Sequence, residues 1–125
     1  MAKFFILFTA VIFFLYGGIF IFFPHQAWLY VVQSCVDTNS ESIDLRATYG
    51  GLNIGVGIIL YVLARQNSTL KIGLLTVFLL MLSMAFGRMV GIVVDGEPNQ
   101  AMYLYLALEL LAGVVSLVLY RFTKE

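Results

Sequence analysis

A chain of 125 residues that is 62% hydrophobic and 11% charged, with a mean hydropathy of +0.98, lies outside the range of soluble domains. Seven basic and seven acidic residues sum to a net charge of zero, and the basic ones are too few and too scattered for a nucleic-acid surface. The composition is that of an integral membrane protein. We expect an all-α fold: a single domain over 1–125 forming an antiparallel four-transmembrane-helix bundle, with spans at about 4–23, 46–64, 72–94 and 101–120.

Phe4 to Phe23 carries no charge over one bilayer's length of helix. It is longer than the apolar core of a signal peptide, and Pro24-His25-Gln26-Ala27-Trp28 offers no small residues at a cleavage spacing, so we expect it to remain as the first span. Thr9, Tyr16 and Gly17 give it a weak inward stripe.

The segment Pro24 to Asp44 is long for a bundle connection. Its part Gln26 to Val36 is apolar, contains Trp28 and Tyr30 and is too short to span, which suits a short interfacial helix between the first two spans. His25, alone beside Pro24, reads as an interfacial residue rather than a metal ligand. The single Cys35 cannot form an internal disulfide, and no paired-thiol motif exists. Thr38 with Glu41 fits a capping box, so the second helix should begin before the membrane does.

On the second span, Arg46, Gly50, Asn53 and Gly57 recur at spacings of four, three and four, which places them on one helical face. Tyr49 stands beside this stripe. Gly51 with Gly55 and, on the third span, Gly87 with Gly91 spell GxxxG, read as ordinary close packing. The fourth span repeats the pattern with Tyr105, Glu109, Ala112, Gly113 and Ser116.

Gln66-Asn67-Ser68-Thr69 and Asp95-Gly96-Glu97-Pro98 are tight polar connections. Lys3, Arg65, Lys71, Arg121 and Lys124 fall on the side that carries both termini, while Asp37, Glu41, Asp44, Asp95 and Glu97 fall on the other. Basic flanks are retained in the cytoplasm, which predicts a multi-pass plasma-membrane protein with both termini cytoplasmic. The sequon Asn67-Ser68-Thr69 would then never meet a glycosyltransferase.

Depth singles out three ionisable residues. At a rise of about 1.5 Å per residue, Arg88 lies roughly 9 Å and Glu109 about 12 Å below the outer boundary, with Arg46 near the surface. A glutamate cannot snorkel as an arginine does, so Glu109 needs a partner, a proton or water. An ion pair with Arg88 on the adjacent antiparallel helix is the simplest solution, and by itself it would only tie two helices together. Two cations against one anion leave an excess positive charge, which a carboxylate or lipid phosphate would balance through the arginine fork. The expected ligand-binding set, in an outward-facing polar pocket, is therefore Arg46, Tyr49, Asn53, Arg88, Tyr105 and Glu109, with no catalytic residue, metal or cofactor assigned.

The strings Leu45-Arg46-Ala47-Thr48-Tyr49-Gly50-Gly51, Gly87-Arg88-Met89-Val90-Gly91 with Asp95-Gly96-Glu97-Pro98, and Leu106-Ala107-Leu108-Glu109 resemble a small bacterial four-span membrane family catalogued as domain of unknown function 4345. They are also distantly similar to the DoxX-like proteins associated with quinone oxidoreductases. The resemblance covers nearly the whole chain and implies the four-span fold and a bacterial inner membrane, but no established activity.

Three readings stay open. One is a binding or transport module for a small anionic or amphipathic ligand or lipid. Another is a structural homo-oligomer or an accessory subunit of a larger membrane complex. The third, an intramembrane enzyme with Glu109 as acid or base and the arginines as oxyanion stabilisers, is disfavoured because no nucleophile with a positioned base, metal triad or nucleotide loop is visible. A small multidrug exporter would need an acid in its first helix, and here there is none.

Overall fold

The computed structural model describes residues 1–123; Lys124, counted above among the cytoplasmic basic residues, lies outside the described residues. All regular structure among them is helical, in the order α1 (Ala2–Phe22), α2 (Pro24–Val32), α3 (Asn39–Leu45), a π-helical segment (Arg46–Gly51), α4 (Leu52–Arg65), a 3₁₀ turn (Asn67–Thr69), α5 (Leu70–Asp95) and α6 (Gln100–Phe122). The π segment joins α3 to α4, so the helical stretch Asn39–Arg65 is 27 residues long. With α1, α6 and Asn67–Asp95 it makes four helices long and apolar enough to cross a membrane, the pattern of a multi-pass membrane protein.

Local chemistry sets the boundaries. Pro24 ends α1 and opens α2 at its first position, where its missing N–H costs nothing. α2 stops at Gln33, which turns left-handed and donates its N–H to the Leu29 carbonyl. The expected capping box opens α3: the Glu41 N–H donates to Thr38 Oγ1 at 3.1 Å, and the Thr38 N–H donates back to Glu41 Oε2 at 3.0 Å. α5 ends at Gly96, whose φ of 70° a side chain would oppose, and the Asn99 side chain caps α6 by accepting from the Met102 N–H at 3.1 Å.

Much of the apolar surface points outward. Phe8, Val11, Leu15 and Ile19 line one side of α1, and Leu104, Leu108 and Leu111 one side of α6, all exposed. In water such faces would drive association; lipid tails solvate them, so helix contacts rest on close packing and polar ties instead.

The chain divides into two compact units. In the unit Leu7–Val62, α1 runs antiparallel to the π segment and α4 along a glycine seam. A methyl group added at Gly17 would lie 2.6 Å from the Gly50 carbonyl oxygen, and one at Gly57 would lie 2.8 Å from the Ala10 carbonyl oxygen. Two of the predicted stripe residues, Gly50 and Gly57, therefore permit this approach. The GxxxG pairs behave differently: a methyl at Gly55 or Gly87 would meet nothing within 4 Å, and at Gly51 or Gly91 the nearest atoms are 3.8 and 3.7 Å away. The expected tight packing at those pairs is not what the structure shows, because Gly55 and Gly87 face open space and Gly51 and Gly91 meet only atoms of their own helical stretch, while Gly17, Gly50 and Gly57 meet the facing helix.

The other unit comprises residues 1–6 and those from Leu63 onward. Its center is the antiparallel pair α5 and α6, with Leu74, Val77, Met81 and Ala85 buried on α5, and Gly113 facing the Met81 side chain. The buried Ser116 hydroxyl donates to the Leu74 carbonyl at 2.6 Å, crossing from one helix to the other.

Candidate functional site

Polar groups gather at one place in each unit. Between α5 and α6, Arg88 Nη2 donates to Glu109 Oε1 at 2.6 Å, while Nε lies 3.1 Å from Oε2 and 3.2 Å from Oε1. This is the two-pronged arrangement that a planar guanidinium makes with a carboxylate. Arg88 Nη1 donates to Met102 Sδ at 3.1 Å, and its guanidinium carbon lies 5.3 Å from the Tyr105 ring center. The Glu109 side chain is only 6% exposed and that of Arg88 19%. The depth argument for this pair thus meets its geometric counterpart: two charges that hydrocarbon would reject separately leave as one neutral, hydrogen-bonded unit. No buried side-chain nitrogen or oxygen among the described residues lacks a partner.

Around α2 and the start of the second spanning stretch, the arrangement is different. Arg46, the first residue of the π segment, is exposed, and its Nη1 donates to the Ile21 main-chain carbonyl. Among the described residues it meets no carboxylate. One turn earlier, the buried Ser42 places its Oγ 3.2 Å from His25 Nε2. One turn later, the Tyr49 ring lies 5.0 Å from Phe20 and 5.5 Å, edge-on, from Trp28.

The spacing explains why these groups meet. Ser42, Arg46 and Tyr49 recur at four and three residues on one helix face, and His25 with Trp28 at three on the face of α2 that meets it. Inside the π segment Thr48 Oγ1 donates to the Asp44 carbonyl at 2.7 Å. This back-bond and the adjacent Gly50-Gly51 loosen the regular ladder, and single π turns of this kind recur at functional sites.

The predicted site residues therefore fall into two groups. Arg88, Glu109 and Tyr105 stand together on α5 and α6. Arg46 and Tyr49 stand together in the π segment. Asn53, one turn beyond, spends an amide hydrogen on the Tyr49 carbonyl at 2.7 Å. Sequence reasoning overlooked Ser42, and it treated His25 and Trp28 only as interfacial residues. Their common spacing was the available signal. Met102 gave none, since a thioether accepting from an arginine leaves no pattern in sequence.

A groove of about 290 Å³ between α1 and α4 is apolar, lined by Leu7, Val11, Phe14, Gly57, Ile58 and Tyr61 among others. It presents almost no polar surface, so it has no means of orienting a charged group.

No curated protein and no solved structure matches the chain. The sequence model of the family described as Domain of unknown function (DUF4345) matches residues 1–120, and the chain belongs to this family.

Proposed function

We propose that this chain is a multi-pass protein of the bacterial inner membrane, both termini cytoplasmic, that binds the anionic group of a small or amphipathic molecule, lipids included, at Arg46. The supporting observation is the contrast between the two arginines: Arg88 is neutralised by Glu109, whereas Arg46 is exposed with a main-chain carbonyl as its partner. A carbonyl satisfies one guanidinium N–H and none of the charge. Tyr49 and Trp28 stand beside it as the amphipathic rings that favour the headgroup level of a bilayer. In this reading Arg88, Glu109 and Tyr105 hold α5 to α6, and their part in the binding set is to keep that half of the chain rigid.

A second reading has its own support. A direct, satisfied Arg88–Glu109 pair is what a purely structural subunit would use to fix the rotation of two helices, so a homo-oligomer or an accessory subunit of a membrane complex remains the alternative.

Native mass spectrometry separates the two. After release from nanodiscs of mixed phosphatidylglycerol and phosphatidylcholine, the protein should retain phosphatidylglycerol, and Arg46→Gln should lose it. Retention that is unchanged in Arg46→Gln overturns the binding reading; a stoichiometric protein partner in place of lipid establishes the alternative.

A further inference from the structure

We infer that His25 and Ser42 form the second contact of the Arg46 site and that the group bound there is a phosphate ester, held more tightly when the imidazole is protonated. This rests on the binding reading above and names its chemistry.

Two rungs connect the same pair of chain segments. Ser42 meets His25, and four residues on in each segment's order of approach, Arg46 meets Ile21, which itself precedes His25 by four. Ser42 and Arg46 stand about one helical turn apart, roughly 5 to 6 Å between their β-carbons, while Ile21 and His25 lie on either side of the break at Phe23. A tetrahedral anion accepting at about 2.8 Å from each side bridges such a gap, with one oxygen toward the guanidinium and another toward the imidazole. The Ser42 hydroxyl, 9% exposed and within 3.2 Å of His25 Nε2, is placed to donate to the same anion as the imidazole. A carboxylate holds its acceptor oxygens in one plane on a single carbon, whereas the tetrahedral phosphorus spreads its oxygens toward donors on both segments.

The charge balance favours the same ligand. The face that α3 and the π segment present to His25 carries Ser42, Arg46 and Tyr49. The Glu41 carboxylate is occupied at the α3 cap by the Asp37 and Thr38 N–H groups, and Asp44 is two residues past Ser42, on the other side of the helix. α2 has no other charged residue, and the end of α1 beside it has none. Among the described residues no carboxylate is paired with His25, and the charged residue next to Ser42 along its helix face is another cation, Arg46. An anion between them removes their repulsion and satisfies both. An imidazolium brings a positive charge that the neutral ring lacks, so affinity should rise where His25 is protonated.

The test uses the full chain in nanodiscs, with phosphatidylglycerol as probe because its diester charge is constant over this pH range. Its deacylated headgroup, glycerophosphoglycerol, separates a lipid source from a soluble one, and oleate supplies a carboxylate on a similar chain. Wild-type protein should bind phosphatidylglycerol about tenfold more tightly at pH 5.5 than at pH 8, as gaining one charge-assisted hydrogen bond implies. His25→Gln should flatten that dependence, and Ser42→Ala should weaken binding at both pH values. Binding of the deacylated headgroup with similar affinity would assign a soluble phosphate ester; binding of phosphatidylglycerol alone would assign a lipid. An equal preference for oleate overturns the phosphate assignment. A flat wild-type profile, or one that persists in His25→Gln, overturns the role of His25 even if Arg46→Gln abolishes binding. If Arg46→Gln changes nothing, the functional reading itself falls. Should His25→Gln fail to fold, the wild-type pH profile and Ser42→Ala still decide.

Discussion

The seam between α1 and α4 and the seam between α5 and α6 hold helices together by different means. Along the first, glycines let backbone meet backbone, with the Gly17, Gly50 and Gly57 α-carbons set against carbonyls and side chains of the facing helix. Along the second, polar side chains cross the gap: Arg88 to Glu109 and Ser116 to Leu74. In lipid both work, because neither depends on expelling water. They differ in what is left over. The polar seam consumes its own charge, whereas the glycine seam has at its end a guanidinium, Arg46, that balances no acid among the described residues.

Removing the carboxylate should disturb the molecule most. Glu109→Leu leaves the Arg88 guanidinium buried without its acid and is expected to cost about 3 kcal/mol, from the ~2.5–3.5 kcal/mol penalty of a charge at a helix center. The double substitution Arg88→Met with Glu109→Leu removes both charges and should recover most of that loss. Reversible unfolding in mixed micelles measures it, and a double variant as unstable as the single one would contradict the pairing.

The glycine seam should respond to volume rather than charge. Gly57→Ala places a methyl 2.8 Å from the Ala10 carbonyl oxygen and 3.1 Å from the Phe14 nitrogen, and should cost about 1–3 kcal/mol through overpacking. Gly55→Ala meets nothing and should be neutral or stabilising by up to about 1 kcal/mol, the helix preference of alanine over glycine. The same unfolding assay reads both; equal effects would mean that the seam is not where the backbones place it.

Arg46→Gln should matter least to stability, changing it by under about 0.5 kcal/mol, since an exposed side chain with one carbonyl partner contributes little. Its effect belongs to ligand retention. A large loss of stability would assign Arg46 to structure and bring it into line with Arg88.

The parts of this arrangement that were readable from sequence are those governed by length, periodicity and single-residue chemistry. Uncharged runs gave the four spanning helices, Thr38 and Glu41 gave the cap of α3, and matched depth on consecutive helices gave the Arg88–Glu109 pair. What escaped depends on how faces are turned. GxxxG at Gly51 and Gly55 has the same spelling whether it faces a neighbour or open space, and only the rotation of the helix separates the two. That rotation is altered here by the π segment, where Thr48 and Gly50-Gly51 loosen the ladder without their spelling fixing a π turn rather than an α turn. The contact of Ser42 with His25 was hidden for the same reason. It needs α2 folded back against α3, a consequence of the turn between them rather than of either helix.

A density map of the protein in a native-lipid nanodisc would decide most directly between a consumed and an available charge. This account predicts a continuous non-protein feature within hydrogen-bonding distance of the Arg46 guanidinium, reaching toward His25, and direct contact without any such feature between Arg88 and Glu109. A carboxylate of the chain itself seated on Arg46, or a ligand inserted between Arg88 and Glu109, would contradict it.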